Sequence, residues 1–398
     1  MCEGMGASAA VMTGPGAGAI ATIGLLGASA RAILQGVFQP AGRTPLEFTT
    51  GRILLGHIVD GDNVIDQVTI GCEAPDAFAI HCHGNPLIVE RIMELLQRQG
   101  VALAPAEQLL ACMLAEQRSD NTIAVEAKVA LATVKTVEGA RILAHQIEAG
   151  LCETAGHWRR LAESGDVKRI ATQAKQILRD SDTARLILSG CTIVLTGPPN
   201  TGKSTLLNAL AGREKALVTD VEGTTRDWVS AEIHIPPLAA TVIDTAGLDA
   251  ELAAASGRDI DGVAQARAVE LLERADVVLL VLDAGQPADS FDPHIVEHLA
   301  GKRTVVVLNK SDLPPHLDPA FLPQPFRPPI RISAKHETGI EDLIQAIHHA
   351  CNVTTFDPRT PIAFTPRQTQ LLEQAILASS KEEMASCIAR LLDDTLLT

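Results

Sequence analysis

The chain has 398 residues and a formal net charge of −15, with 33 Lys and Arg against 48 Asp and Glu. This acidity argues against a broad nucleic-acid surface, because nonspecific affinity for phosphate backbones comes from Lys and Arg. The eight cysteines are scattered without a Cys-x-x-Cys pair, which favours a reduced, cytoplasmic setting over a disulfide framework. The length allows roughly two to three domains.

The N-terminal part of the chain predicts a small α+β domain at residues 1–108. Ala9 to Ala30 lacks charge, but its glycines and Pro15 indicate a strand and a glycine-rich loop rather than a membrane span. Apolar and alternating runs at 51–59 and 68–81, separated by turns such as Asp60-Gly61-Asp62-Asn63, predict further strands. An amphipathic helix is expected at 87–99.

His81-Cys82-His83, near the end of this region, has two possible interpretations. A metal would use the imidazoles and the thiolate as ligands, but no partner cysteines stand nearby at ligand spacing. The favoured interpretation is therefore a strand end with one ring facing inward.

Helical periodicity begins near Leu109 and continues to Ser189, and it resumes after Thr365 through Met384 and Ile388. The economical interpretation is one helical domain, 109–185 and 355–398, interrupted by an inserted domain at 186–354. Cys387 belongs to the second stretch, and we expect it at a core position of an amphipathic helix.

The inserted region contains a phosphate-binding loop, Gly197-Pro198-Pro199-Asn200-Thr201-Gly202-Lys203-Ser204, which fits G-x-x-x-x-G-K-[ST]. An apolar strand is predicted before it at 192–196, and a helix is predicted from Thr205 onward. The glycines would turn backbone N–H groups towards an anion, Lys203 would reach the outer phosphates, and Ser204 would hold Mg²⁺.

Three further strands are predicted to end in polar turns of the kind that surround a guanine nucleotide. The first ends in Asp244-Thr245-Ala246-Gly247, which places a carboxylate near Mg²⁺ and a glycine N–H near the γ-phosphate. After a strand at 277–282, the next ends in Asn309-Lys310-Ser311-Asp312, whose Asp312 can accept from both the N1–H and the N2 amino group of guanine. A short strand at 330–332 leads into Ser333-Ala334-Lys335, whose backbone would complete the base pocket.

Each of these tetrapeptides alone is a turn with a charge on it. Their order, each at the end of a predicted strand, predicts a P-loop GTPase with a Ras-like doubly wound sheet. The fold class is therefore multi-domain α/β plus α, with the GTPase inserted in a helical domain that follows an N-terminal α+β domain.

This set and order of motifs resembles the translation-factor-related GTPases. Asn200 and the stretch Val218-Thr219-Asp220-Val221-Glu222-Gly223-Thr224-Thr225-Arg226-Asp227 resemble the MnmE (TrmE) family of potassium-activated, tRNA-modifying GTPases. The resemblance implies K⁺ held by the Asn200 side chain and the carbonyls of Thr219 and Val221, and Mg²⁺ held by Ser204 and Thr225. The residues expected at the nucleotide are Gly197, Asn200, Thr201, Gly202, Lys203, Ser204, Thr205, Thr219, Asp220, Val221, Glu222, Gly223, Thr224, Thr225, Asp244, Thr245, Ala246, Gly247, Asn309, Lys310, Asp312, Ser333, Ala334 and Lys335.

The catalytic water needs a positioning group, because Leu248 stands where signalling GTPases carry a glutamine and no obvious arginine finger is present. In the resembled family a glutamate before the next helix has this role, and here Asp261 stands at that place with Asp259 close by, after extra residues at 250–257. Asp259 and Asp261 are therefore the candidate catalytic residues. The alternative is that both cap the helix N-terminus.

The resemblance also implies a tetrahydrofolate-binding N-terminal domain, because His81 to Pro86 is similar to the family's His-Gly-Gly-Pro turn before a helix. It implies a homodimer that works on the wobble uridine of tRNA with an FAD-dependent partner, MnmG, which supplies most of the RNA-binding surface. No membrane association is expected. The family's Gly-Arg-Gly-Gly loop, its Thr-Gly-Glu-Asp segment and its terminal Cys-Ile-Gly-Lys are not found in this sequence, which suggests a divergent, C-terminally truncated member.

Two alternative functions stay open. A ribosome-assembly or regulatory GTPase of the Era/Der type is disfavoured, since neither a second GTPase core nor a basic RNA-binding tail is visible. A divergent member that keeps the switch and has lost the modification chemistry is the stronger alternative.

Overall fold

The computed structural model describes residues 6–14, 16–42, 46–116, 121–213, 229–244, 270–286, 299, 301–318, 322 and 328–393. They divide into two compact units, Met1–Ala132 with Ser386–Thr398, and Thr133–Ala385. The finer boundaries expected at 108, 185 and 354 remain predictions.

The first unit is an α+β structure with a seven-stranded sheet in the order β3-β4-β5-β6-β2-β1-β7. Neighbouring strands are antiparallel except β1 and β7, which are parallel. The strands are β1 (Ala7–Val11), β2 (Ile20–Leu26), β3 (Phe38–Pro40), β4 (Ile53–Asp60), β5 (Asn63–Ala74), β6 (Ala77–His83) and β7 (Val101–Leu103). The helices are α1 (Ala30–Val37), α2 (Pro86–Arg98), α3 (Ala106–Glu116) and α4 (Thr122–Leu131).

Side-chain alternation gives this sheet two packed faces. On one face, Ile23, Ile70 and Ile80 join the main core with Leu34 of α1 and Ile92 of α2. On the other, residues of β1, β2 and β6 pack against α3. The run at 68–81, expected as one strand, contains the end of β5, a turn and most of β6, because the chain reverses between Ala74 and Ala77.

The second unit holds a six-stranded sheet in the order β13-β12-β11-β8-β10-β9, parallel except for the β9–β10 pair. Its strands are β8 (Cys191–Thr196), β9 (Val229–Ile235), β10 (Leu238–Asp244), β11 (Val277–Asp283), β12 (Thr304–Asn309) and β13 (Ile330–Arg331). Its helices are α5 (Val137–Glu148), α6 (Gly150–Ser164), α7 (Val167–Ser189), α8 (Lys203–Arg213), α9 (Ile340–Ala350) and α10 (Pro366–Leu377). Helix α11 (Lys381–Asp393) spans the boundary between the units at Ser386.

The doubly wound sheet predicted for the nucleotide region is confirmed. Strand β11 is buried along its whole length, as expected for a strand with both faces covered. Strand β8 lies between β10 and β11, so the strand order reverses around it and opens a crevice at its carboxyl end. The loops that follow β8, β10, β11 and β12 therefore meet at one edge of the sheet.

Helices before and after the sheet contact each other within the second unit. Gln146 of α5 is fully buried, and its Oε1 accepts from Leu151 N at 2.8 Å and from Ile362 N at 3.2 Å. Its Nε2 donates to Thr360 O at 3.2 Å. This glutamine thus joins the α5–α6 turn to the segment that leads into α10.

Cys387 is half-buried in α11, whereas the sequence predicted a fully buried position in the core. Met384, Ile388, Leu391 and Leu392 form the buried stripe of this helix. Cys387 lies one residue from Ile388, which is about 100° around the helix and places it at the margin of that stripe.

Candidate guanine nucleotide site

The loop between β8 and α8 has the backbone conformation that its glycines predict. Gly197 has φ +138° and Gly202 has φ +92°, both in the region that favours glycine. A Cβ atom would clash with the Val281 carbonyl oxygen at Gly197 and with the Asn309 Nδ2 atom at Gly202. Both glycines are therefore required for the loop to pack beside β11 and β12.

Lys203 places a positive charge at this loop. Its side chain is buried, and its Nζ donates to Gly197 O at 2.8 Å and Pro198 O at 3.1 Å. Thr201 Oγ1 also donates to Pro198 O, at 3.0 Å. A buried ammonium beside the N-terminus of α8 is the arrangement that attracts phosphate.

Ser204 and Asp244 meet at the same edge of the sheet. Ser204 Oγ, in the first turn of α8, donates to Asp244 Oδ2 at 2.6 Å, and Asp244 ends β10 and is buried. A hydroxyl and a carboxylate are hard oxygen donors, which suit Mg²⁺ and leave further coordination positions for water and phosphate. The residues present therefore fit this metal.

Asn309 connects the base-recognition turn to the phosphate loop. It ends β12 and is buried, its Nδ2 donates to Thr201 O at 2.8 Å, and its Oδ1 accepts from Ala334 N at 2.9 Å. One amide therefore holds three loops in register.

Asp312 is presented as an ionised acceptor. Ser333 Oγ donates to Asp312 Oδ1 at 2.6 Å, and His336 Nε2 lies 3.8 Å from Asp312 Oδ2. The pKa of Asp312 is lowered, chiefly by the Ser333 hydrogen bond and also by the charges of His336 and Lys335, against the opposing effect of desolvation. An anionic acceptor is what the paired donors on the guanine edge require.

Asp283 is a residue of this site that the sequence analysis missed. It ends β11 and is only 7% exposed, and its Oδ2 lies 2.7 Å from Lys310 Nζ. Its signal in the sequence was an aspartate directly after the predicted apolar strand at 277–282, and Asp244 likewise ends a predicted strand.

The structure brings together the expected residues of the phosphate loop, Asp244 and the base-recognition turns. Twelve expected residues lie outside the described part of the chain, including the carbonyl ligands expected for K⁺ and both candidate catalytic carboxylates, so their roles remain predictions. These are Thr219, Asp220, Val221, Glu222, Gly223, Thr224, Thr225, Thr245, Ala246, Gly247, Asp259 and Asp261.

The His81-Cys82-His83 group lies at the end of β6, as expected for a strand end. Cys82 faces the main core, and strand alternation puts both rings on the opposite face of the sheet, where His81 is half-buried and His83 is exposed. His81 Nδ1 lies 3.0 Å from Thr22 Oγ1, and His83 Nδ1 lies 2.7 Å from Asp66 Oδ1. Burial, and then Asp66, raises the pKa of the Cys82 thiol, which disfavours the thiolate that a metal needs. Among the described residues, no group of three or more His, Cys, Asp and Glu is arranged to hold a metal.

None of the helices in the described ranges is both long and apolar enough to cross a membrane.

Two family models match separate parts of the chain. Residues 192–310 match the family described as 50S ribosome-binding GTPase, and residues 7–108 match the family described as GTP-binding protein TrmE N-terminus. A crystal structure of the G domain of the T. maritima FeoB iron transporter is 24% identical, and the match covers 40% of this chain and 98% of that one with a TM-score of 0.32.

Full-length relatives extend the similarity over most of the chain. The tRNA modification GTPase MnmE of Thermotoga petrophila is 30% identical, over 92% of this chain and 86% of that protein. The MnmE of Bacillus subtilis strain 168 is 31% identical, over 85% of this chain and 81% of that protein. The chain belongs to the MnmE family of tRNA modification GTPases.

Proposed function

We propose that this protein binds GTP, hydrolyses it with Mg²⁺ and K⁺, and acts by this cycle in modifying the wobble uridine of tRNA with an FAD-dependent MnmG-like partner. The observation that carries the proposal is the pair of hydrogen bonds made by the Asn309 side chain, which ties the base turn to the phosphate loop. Full-length relatives named tRNA modification GTPase MnmE support the tRNA part.

Base selection follows from the charge on Asp312. Guanine offers two donors to this carboxylate, whereas adenine offers an acceptor at N1 and leaves the carboxylate unpaired. An unpaired charged group costs about 1–3 kcal/mol or more. The hydrogen bond from Ser333 orients the carboxylate and lowers its pKa.

At the phosphate end, Lys203 and the first N–H groups of α8 bind the outer phosphate oxygens. Ser204 and Asp244 would hold Mg²⁺, which neutralises charge on the phosphoryl oxygens when bound. Water positioning is assigned to Asp261 or Asp259, by resemblance.

K⁺ is assigned by the same resemblance to Asn200 with the Thr219 and Val221 carbonyls. The proposal also includes a homodimer, a tetrahydrofolate derivative bound by the N-terminal domain, and a cytoplasmic location. Contact with tRNA would be local, because the net charge of −15 opposes broad phosphate binding.

A second candidate function is a regulatory or ribosome-associated GTPase without the modification chemistry. The observation that favours it is the match of residues 192–310 to the family described as 50S ribosome-binding GTPase.

Both candidates are tested in a bacterial strain that lacks its own MnmE. The native protein and Ser204→Ala are expressed, and modified wobble uridine is measured by mass spectrometry of hydrolysed tRNA, beside GTP turnover of the purified proteins. We expect the native protein alone to restore the modified nucleoside. If the native protein hydrolyses GTP and no modified uridine returns, the second candidate function is correct.

A further inference from the structure

We propose that Asp283 is a positioning residue of the nucleotide site, which holds Lys310 in place as a bridge between the base turn and the phosphate loop. The inference rests on the proposed binding of guanine nucleotides. It adds a residue that lies outside the phosphate loop and the base-recognition turns.

The two oxygens of Asp283 have separate partners. Oδ1 accepts from Gly285 N at 2.8 Å and shapes the turn after β11, while Oδ2 accepts from Lys310 Nζ at 2.7 Å. The carboxylate is 7% exposed and the lysine side chain 34% exposed. Since the pair is partly shielded from water, its attraction is stronger than that of a surface pair.

Lys310 uses the same ammonium to reach the phosphate loop. Its Nζ donates to Asn200 O at 2.7 Å. Lys310 has a positive φ value, +63°, a conformation that costs free energy in residues other than glycine, asparagine and aspartate. The contacts of Asp283 with Lys310, and of Lys310 with Asn200, therefore stabilise an unfavourable backbone position in the base turn and fix it against the phosphate loop.

Lys310 Nζ donates to the Asp283 carboxylate and to the Asn200 carbonyl. Without the charge of Asp283, only the neutral carbonyl would remain of these two acceptors. We expect Lys310 to lose its fixed position beside the phosphate loop, although Asn309 still links that loop to the base turn, and nucleotide affinity to fall. Because neither contact involves the γ-phosphate position, GDP and GTP should be affected equally and the rate at saturation should be kept.

Asp276 provides a matched control at the opposite end of the same strand. Its Oδ2 accepts from Thr192 N at 2.8 Å, its Oδ1 accepts from Arg185 Nη2 at 2.6 Å, and its side chain is 14% exposed. It thus makes one backbone bond and one ion pair, as Asp283 does, but at the edge of the sheet away from the nucleotide loops. A purely structural role predicts the same outcome for both substitutions.

The experiment compares Asp283→Asn with Asp276→Asn in the full chain by calorimetric titration of GDP, steady-state GTP hydrolysis and thermal melting. We expect Asp283→Asn to weaken GDP binding and raise KM about tenfold with kcat within about twofold, as loss of a partly buried ion pair implies. Asp276→Asn should lower the melting temperature and leave GDP affinity, KM and kcat unchanged.

A double-mutant cycle tests whether Asp283 acts through Lys310. Lys310→Met should weaken GDP binding by itself, and adding Asp283→Asn to it should weaken binding by no more than about twofold further, because coupled residues are not additive. If Asp283→Asn does not fold, Asp283→Ser keeps an oxygen for Gly285 N–H and carries the same expectation.

The inference is wrong if Asp283→Asn and Asp276→Asn bind GDP equally well, if the two substitutions in the cycle are additive, or if Lys310→Met binds normally. Failure of the native protein to bind GDP would instead contradict the proposed function.

Discussion

Asp312 is the residue on which the choice of base depends. We expect Asp312→Asn to weaken GDP binding by about 2 kcal/mol or more, because the amide cannot accept from both guanine donors. The amide can donate to the O2 of xanthine and accept from its N1–H, so binding of xanthosine diphosphate should increase. Calorimetric titration with both nucleotides and with ADP measures the effect.

Asp357→Asn is the control for this substitution, since Asp357 is exposed and accepts from Arg359 N outside the site. Equal affinity of the native protein for ADP and GDP would contradict the assignment of Asp312.

Asn200 carries the prediction about K⁺. We expect GTP turnover to be much faster in KCl than in NaCl at equal ionic strength, and Asn200→Ala to abolish the difference. Because Asn200 has φ +62°, alanine would also strain the backbone, so Asn200→Gly separates loss of the amide from strain.

Asn208→Ala, on the exposed side of α8, should keep the salt preference of the native protein. Identical native rates in KCl and NaCl would exclude the K⁺ assignment.

At the scale of single elements, two substitutions in helix α11 test the role of its cysteine. Cys387 lies at the margin of the buried stripe, so we expect Cys387→Ser to cost about 1 kcal/mol or less and to leave GTP hydrolysis and wobble-uridine modification intact. Ile388→Ala, one residue further in the buried stripe, should cost about 2–5 kcal/mol. Loss of tRNA modification by Cys387→Ser at unchanged melting temperature would instead show a chemical role for the thiol.

The strands differ in how well the local pattern of apolar residues predicts them. Strands β8, β11 and β12 are near-continuous apolar runs. Strands β8 and β11 begin and end within one residue of the predicted bounds, and β12 ends at Asn309, where the polar turn was predicted. Strand β9 was missed, because its antiparallel pairing with β10 buries only alternate residues and leaves a weaker signal. The β5–β6 reversal was missed, although the turn residues Pro75 and Asp76 lie within the run at 68–81.

At the scale of the whole molecule, nucleotide binding should affect only one of the two compact units. Every described residue of the candidate site belongs to Thr133–Ala385. We expect GDP to slow amide hydrogen exchange in the phosphate loop, the base turns and strands β8 and β12. Exchange in the seven-stranded sheet of the first unit should stay unchanged.

The measurement is hydrogen exchange by mass spectrometry with and without GDP, with Asp312→Asn as the control with weakened binding. Equal protection of both units by GDP would contradict confinement of the site to the second unit.

The amino-acid sequence by itself determined which loops carry the nucleotide chemistry, because glycine turns and strand-end polar residues are local patterns. Only the tertiary structure decided how these loops hold one another. Asn309 reaches Thr201 across 108 positions, Lys310 reaches Asn200 across 110, and Asp283 reaches Lys310 across 27. These contacts depend on which strands lie side by side, and the order of strands in a sheet is set by long-range packing rather than by neighbouring residues.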